Sequence, residues 1–323
     1  MSAGRVSAGR VSAGRVSAGR VSAGRVGAAA GGALLRVAVL GPGGVGGLLA
    51  ALLAGDGHEV VCLAGAGTAS ALREHGVRLT SARFGDRAQP VAAAEVLDRP
   101  VDACLVAVKA TSLQAALQRV PAPVLDGALL VPLLNGVEHV AVLRERYPAA
   151  TVAPAAIRVE STRTAPGQVH HASPFASLDL TAAPGVERLA RALGSAGLDV
   201  RVREGEAAVL WDKLAFLAPL ALLTTHAAAP AGEVRQRRRE DLVAVVEEVA
   251  AVARAEGGAG DAAGVLRTFD ALPATTRSSM QRDAEAGRPL ELDALGGAVL
   301  RAAARHGLAA PVTARLVADL ERR

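Results

Sequence analysis

The stretch VAVLGPGGVGG, Val37–Gly47, decides how the rest of the chain is read. Val37, Ala38, Val39 and Leu40 run unbroken into a glycine, as in a strand buried on both faces. Gly41, Gly43 and Gly46 then stand in a G-x-G-x-x-G spacing, and GVGGLLAALLAGDG beyond them reads as a helix. In a chain with 35 glycines the spacing alone says little. Its position between a strand and a helix gives it meaning. The glycines allow a tight turn and let a pyrophosphate approach the helix N-terminus, which binds anions. Gly41, Pro42, Gly43, Gly44, Val45 and Gly46 are therefore the expected dinucleotide loop.

Working outward, strand-like and helix-like segments alternate. HEVVCLA reads as a second strand and SALREHG as a short helix. Residues 77–96 read as two short strands around FGDR. VDACLVAVK is a buried strand ending at Lys109, SLQAALQRV a helix, and ALLVPLLNG a further strand. This alternation predicts an α/β fold with a Rossmann-like, doubly wound parallel sheet. Residues 151–180 carry turn signals and short alternating runs, expected as antiparallel strands at a sheet edge. A helix near 186–197 and the strand DVRVRE follow. Beyond Gly205 helices are expected near 206–226, 239–256, 261–285, 290–306 and 311–322. The reading is a Rossmann-like dinucleotide-binding domain over 34–204 and an all-α substrate and catalytic domain over 205–323. Ahead of them, 1–33 are expected to be a disordered SAGRV-repeat extension.

Composition narrows the function. Half the chain is hydrophobic (51%) but only 2% is aromatic, so the core is aliphatic. The net charge of +5 comes from the five arginines of the SAGRV repeats; the rest balances 31 basic against 31 acidic residues. Arginine at every fifth position makes no single helical face, and the repeated glycine opposes a helix. The body carries no basic stripe interleaved with aromatics, so nucleic acid is not an expected partner. Cys62 and Cys104 lie in apolar runs and read as small core residues, which suits a reducing cytoplasm. No metal-ligand spacing occurs, and no metal is expected. No run of about 18 uncharged apolar residues occurs, so no membrane span is expected. The longest apolar run, LAFLAPLALLTTH, is interrupted by Pro219.

The positive charge is written almost wholly as arginine; Lys109 and Lys213 are the two lysines among 36 basic residues. On a helix Lys213 is flanked by Val209, Leu210, Phe216 and Leu217, so it loses water and its pKa falls, as suits a general acid. A lysine that snorkels to solvent fits the same pattern. Pro219 is expected to disturb that helix about one turn later. Lys109 and Asn135, the one asparagine, fall at strand carboxyl ends, where doubly wound sheets bind ligands. A strand-end cap and an Asn-Gly turn are the plainer readings. In RSSMQRDAEAGRPLELD, Pro289 would open a helix and place Glu291 in its first turn, favoured by the helix dipole. Ser278 and Ser279 are solvated, capping or binding. After the second strand CLAGAGTAS offers neither acid nor base for the adenosine ribose; Thr68, Ser70 and Arg73 are the nearby polar groups.

The motifs VLGPGGVGG, VAVKA, LLNGVEH, LWDKLAF and SSMQRDAEAGRPLELD occur in this order, followed by ARHGLAAPVTARL. Together they resemble the ketopantoate reductase (2-dehydropantoate 2-reductase) family from about Leu35 to the C-terminus. The resemblance implies NADPH-dependent reduction of 2-dehydropantoate to pantoate on the way to coenzyme A. It implies Lys213 as the proton donor to the ketone and Glu291 as the acid that binds the substrate hydroxyl. Ser279 would hold the substrate carboxylate, and Asn135 would bridge cofactor and substrate. Lys109 would sit near the nicotinamide or the substrate carboxylate. Two departures stand out. Family members often have asparagines where this chain has Leu217 and Ala221, and an arginine where it has Gly65. The first leaves another branched 2-oxo acid or ketone open as substrate, and the second leaves NADH open as cofactor. A non-catalytic NADP(H) sensor is the reading from another class, and a homodimer is compatible with any of them.

Overall fold

A computed structural model describes Met1 and residues 33–323; the SAGRV repeats lie outside the described residues. The first part holds β1 (Arg36–Leu40), α1 (Gly44–Gly55), β2 (Glu59–Leu63), α2 (Ala66–His75), β3 (Val77–Ser81), β4 (Arg87–Gln89) and β5 (Ala92–Ala94). Next come β6 (Ala103–Val106), α3 (Leu113–Leu117), β7 (Leu129–Pro132), α4 (His139–Arg146) and β8 (Thr151–Val152). Then follow β9 (Ala155–Arg158), β10 (Ser161–Ala165), β11 (Gln168–His171), β12 (Ser177–Thr181), α5 (Val186–Ser195) and β13 (Asp199–Arg203). The remainder is helical: α6 (Glu206–Ala227), α7 (Ala231–Arg237), α8 (Arg239–Ala255), α9 (Ala262–Ala271), α10 (Ser279–Glu285), α11 (Ala298–Arg305) and α12 (Pro311–Glu321).

The main sheet has the order β5-β2-β1-β6-β7-β8, and every pairing in it is parallel. This is the doubly wound arrangement: chain order reverses between β1 and β6, and the crevice at their carboxyl ends is where such sheets bind ligands. The apolar run of β1 has a direct cause. Val37 and Val39 join one core and Ala38 and Leu40 another, so both faces are covered. Cys62 and Cys104 are buried in these two cores, and burial pushes both thiols up to about 12.

Two further sheets depart from the sequence expectation. Residues 77–96 form three strands, not two. β3 and β4 pair antiparallel, while β5 crosses to the edge of the main sheet. Residues 151–180 do not form one antiparallel edge. β8 closes the main sheet, β11 pairs parallel with β3, and β12 lies between β9 and β13. Strands so far apart in sequence leave no trace of their pairing in local alternation. The β10-β11-β3-β4 sheet lies over α1, explaining a helix with almost no polar face. A Cβ on Gly44 would stand 2.1 Å from the Ser161 carbonyl oxygen, and one on Gly47 would stand 2.6 Å from Val169 Cγ2.

In the helical part α6 is the central rod, with α8, α10 and α12 packed around it. By length and composition α6 could cross a membrane, yet 67% of its most apolar window is buried inside the chain. Pro219 neither ends nor shortens it; the proline is fully packed and the helix runs on to Ala227. The helix expected over 261–285 divides into α9 and α10 around Pro273, and α7 goes unannounced by any periodic pattern. The helix expected from 290 starts later. Glu291 precedes it, and its opening turn is the π-helical segment Asp293–Gly297.

Gly46, in the first turn of α1, is closely hemmed in by the loop before it: an added Cβ would lie 2.3 Å from Gly41 O and 3.1 Å from Ala107 Cβ. Gly46→Ala should therefore cost about 1–3 kcal/mol of stability, read from urea melts, and should weaken dinucleotide binding with it.

Candidate active site

The glycine loop meets the geometric demands of a pyrophosphate cradle. Gly41 has φ +85°, and a Cβ there would lie 2.5 Å from Val108 Cγ1, so β1 and β6 can bring their loops together only over a glycine. Around Gly43, by contrast, the nearest atom to an added Cβ is 4.0 Å away, which leaves room for a ligand to approach the backbone. The first bond from the helix back to the loop is Gly47 N–H to Gly43 O at 2.8 Å. The amides of the first turn remain free, as at any helix start, and no acidic side chain stands there. These residues fit a dinucleotide phosphate.

Beside this loop the two halves of the chain meet through Glu291. Its carboxylate is buried, with Oε1 accepting the Ala110 N–H at 3.0 Å and Oε2 accepting the Asn135 side-chain amide at 3.0 Å. Asn135 lies just beyond β7, and the next residue, Gly136, has φ +85°. A Cβ on Gly136 would stand 2.4 Å from Ala294 O, so the loop approaches the π-helical turn closely enough to exclude any other residue. Helical π-turns recur at functional sites because they redirect side chains without ending the helix.

Lys109 departs from the expected place. β6 ends at Val106, and Lys109 opens the short turn Ala110–Ser112 beyond it. Its Nζ donates to Asp283 Oδ2 at 2.5 Å; the other oxygen of this buried aspartate accepts Arg288 Nε at 2.8 Å. Asp283 was not singled out by the sequence. It lies one turn beyond Ser279 on α10, so the two share a helix face. Ser279 itself is exposed, while Ser278 caps α10, accepting from Gln281 N at 3.0 Å and pairing with Thr224 Oγ1 at 2.8 Å.

Lys213 projects from α6, partly buried, and among the described residues it forms no ion pair. Burial first and the nearby Arg158 guanidinium second lower its pKa to about 8, against the Glu291 carboxylate, which acts in the opposite sense. Arg158 is the last residue of β9, steadied by Asp179 at 2.9 Å. His139, at the start of α4, is the third group brought in by the fold. It is buried, its Nε2 has no hydrogen-bond partner among the described residues, and burial and then Lys213 lower its pKa to about 4. Lys213, Glu291 and Asn135 are thus brought into one electrostatic neighbourhood, with Lys109 tied to its rim. A signal for Arg158 or His139 was absent from the sequence, because arginine is abundant here and a lone histidine is uninformative.

At the far end of the crevice, Thr68 and Ser70 make no side-chain hydrogen bond among the described residues. Arg73 is committed elsewhere, donating to Ala93 O on β5 at 3.1 Å.

Comparison with known proteins matches residues 37–184 to the model of ketopantoate reductase PanE/ApbA and residues 207–322 to that of its C-terminal domain. The chain belongs to the ketopantoate reductase family. It is 31% identical over 291 residues to the 2-dehydropantoate 2-reductase of Caulobacter vibrioides, covering 88% of this chain and 97% of that one. The 2-dehydropantoate 2-reductase of Methylococcus capsulatus superposes with a TM-score of 0.81 at 25% identity, over 89% of this chain and 96% of that one. A D-mandelate dehydrogenase solved with NADH and anilino(oxo)acetate shares the fold, with a TM-score of 0.81 at 22% identity over 89% and 97% of the two chains. The ketopantoate reductase architecture, a Rossmann-like domain followed by a helical one, is that of this chain, an oxidoreductase of the 2-dehydropantoate 2-reductase type.

His139 should make this member acid-sensitive. Its pKa is near 6.5 when unfolded and about 4 when folded, so the unfolded chain binds the extra proton between these values. Stability should fall as pH drops from 6.5 to 4, by up to about 3 kcal/mol from this group. Urea melts at stepped pH should show that slope, and His139→Asn should flatten it; an unchanged slope would assign the acid sensitivity to other groups.

Proposed function

We propose that the chain reduces 2-dehydropantoate to pantoate with NADPH, using Lys213 as general acid. The observation that carries this reading is Lys213, lowered to about 8 by burial and placed within the field of a clamped Glu291. An ammonium with that pKa is largely protonated at neutral pH yet gives up its proton readily, whereas an arginine could not cycle one.

The nicotinamide, when bound, supplies the hydride that adds to the ketone carbon. The amides at the start of α1 would hold the pyrophosphate, and Asn135, anchored through Nδ2, would lie between cofactor and substrate. Lys213 polarises the ketone oxygen, gives its proton to the developing alkoxide and opposes its charge. Glu291 accepts the substrate hydroxyl, and Ser279 and Lys109 line the carboxylate end. Lys109 already has Asp283 as partner, so it reaches a substrate carboxylate only by sharing or leaving that pair. The two buried cysteines, with thiols near 12, fit the reducing cytoplasm in which we place the reaction.

Leu217 and Ala221 favour a second substrate within the same chemistry. Both lie on α6 beyond Lys213, Leu217 partly buried and Ala221 fully, and both pack into the helical core. Neither can hydrogen-bond a hydroxyl, which suits a branched 2-oxo acid without one. A nucleotide sensor without catalysis would have no use for a desolvated lysine within the field of a clamped carboxylate.

Purified protein with 2-dehydropantoate should oxidise NADPH, followed by absorbance, and Lys213→Ala should lower kcat by about 100-fold or more. Oxidation with other branched 2-oxo acids but not with 2-dehydropantoate would select the second substrate.

The pH profile of reduction tests the proton donor separately. The rate should fall as pH rises through about 8, as the ammonium is lost. Arg158→Ala removes a cation and should move this limb to higher pH; Glu291→Gln removes an anion and should move it lower. Limbs that stay in place in both variants would transfer the proton donor to another group.

A further inference from the structure

In a doubly wound dinucleotide fold, the carboxyl end of the second strand faces the adenosine ribose. An acid there binds the 2′-hydroxyl of NAD, and a basic group accommodates the 2′-phosphate of NADP. Here β2 ends at Leu63, and Ala64, Gly65, Ala66 and Gly67 lead into α2 with no acidic residue in its first turn. Gly65, Ala66 and Gly67 are exposed, and an added Cβ at Gly67 would meet nothing within 4 Å, so this lip of the crevice is open.

A cation reaches it from a different loop. Arg119, between α3 and β7, donates through Nη1 to Ala64 O at 3.0 Å and to Glu95 O at 3.0 Å. Its Nη2 lies 3.7 Å from the position of a Cβ on Gly65. The backbone that carries it is fixed on both sides: Arg119 N–H donates to Ala116 O at 3.0 Å, and Leu97 N–H donates to Arg119 O at 2.8 Å. Neither of its hydrogen-bond partners is a carboxylate, and it forms no salt bridge among the described residues. The guanidinium is thus held through Nη1 by two neutral carbonyls, with no carboxylate partner among the described residues and with Nη2 beside Gly65. A planar fork of this kind matches a phosphate.

We infer that Arg119 reads the 2′-phosphate of NADP(H), replacing from a neighbouring loop the side chain that Gly65 lacks. The inference rests on the reductase reading and deepens it by assigning cofactor selectivity to a residue outside the catalytic cluster. Gly65 takes part by its smallness, since a long side chain there would compete with Arg119 for the same space. Its φ of −68° permits other residues, so space and not backbone strain is the relevant constraint.

The test is direct binding of NADPH and NADH to the full chain by calorimetry, without turnover. The parent protein should prefer NADPH by at least roughly ten-fold. Arg119→Gln keeps a donor for Ala64 O but loses the charge; it should weaken NADPH by about ten- to hundred-fold and leave NADH within about two-fold. Adding Gly65→Arg to that variant should restore the preference. Gly65→Glu alone leaves the two carbonyl bonds of Arg119 in place but sets an anion beside it, and should also weaken NADPH selectively. An indifferent parent, an equal loss of both nucleotides in Arg119→Gln, or an unaltered preference in Gly65→Glu would each overturn the inference. A parent that prefers NADPH and responds as expected, yet reduces no 2-oxo acid, would overturn the reductase reading and leave this one standing.

Discussion

The carboxylate of Glu291 is the joint on which the site depends. A buried carboxylate is costly unless its oxygens are satisfied, and both are met by donors from the other half of the chain, Ala110 N–H and Asn135 Nδ2. Either donor lost would leave a buried charge short of a partner. The rim pairs that also cross between the halves, Arg144–Glu206, Arg282–Glu160 and Arg301–Glu138, are partly exposed, and such pairs contribute about 0–1 kcal/mol each. They steer the fit of the two halves. From inside, the fit is fixed by Glu291, by the buried Asp283 that takes Lys109, and by the close approach of Gly136 to Ala294.

Burial acts on the titratable groups of this chain in opposite senses. It pushes the thiols of Cys62 and Cys104 up to about 12, where they are inert, and brings Lys213 down to about 8, where a proton can move. The two charges nearest Lys213 compete: Arg158 favours the neutral amine and Glu291 the ammonium. Glu291 therefore has a double position, holding the halves together and keeping the proton donor charged. Desolvation is the largest of the three influences, and it comes from the apolar packing around α6.

The same packing shows why helix propensity was a poor guide in the second half. Pro219 removes one backbone donor from α6, yet the surrounding helices bury its ring and carry the rod onward to Ala227. Conversely Pro289, a favourable helix opener, opens none; the chain instead delivers Glu291 to its two donors before the π-helical turn begins. Tertiary contacts outweighed local preference at both prolines.

From sequence alone came whatever is encoded between near neighbours. The strand–glycine–helix order at Val37–Gly47, the alternation of buried strands and helices, the helical second half and the rarity of Lys213 and Asn135 in this composition were all legible there. Each depends on side-chain periodicity, turn chemistry or residue choice within a few positions. What only the tertiary structure decided lies across long separations: Lys109 with Asp283, 174 residues apart, and Ala110 with Glu291, 181 residues apart. The same holds for the parallel pairing of β11 with β3 and the arrival of Arg158, His139 and Arg119 at the crevice. Those contacts form because packing three sheets and a helical rod brings particular loops together, and no local pattern carries that information.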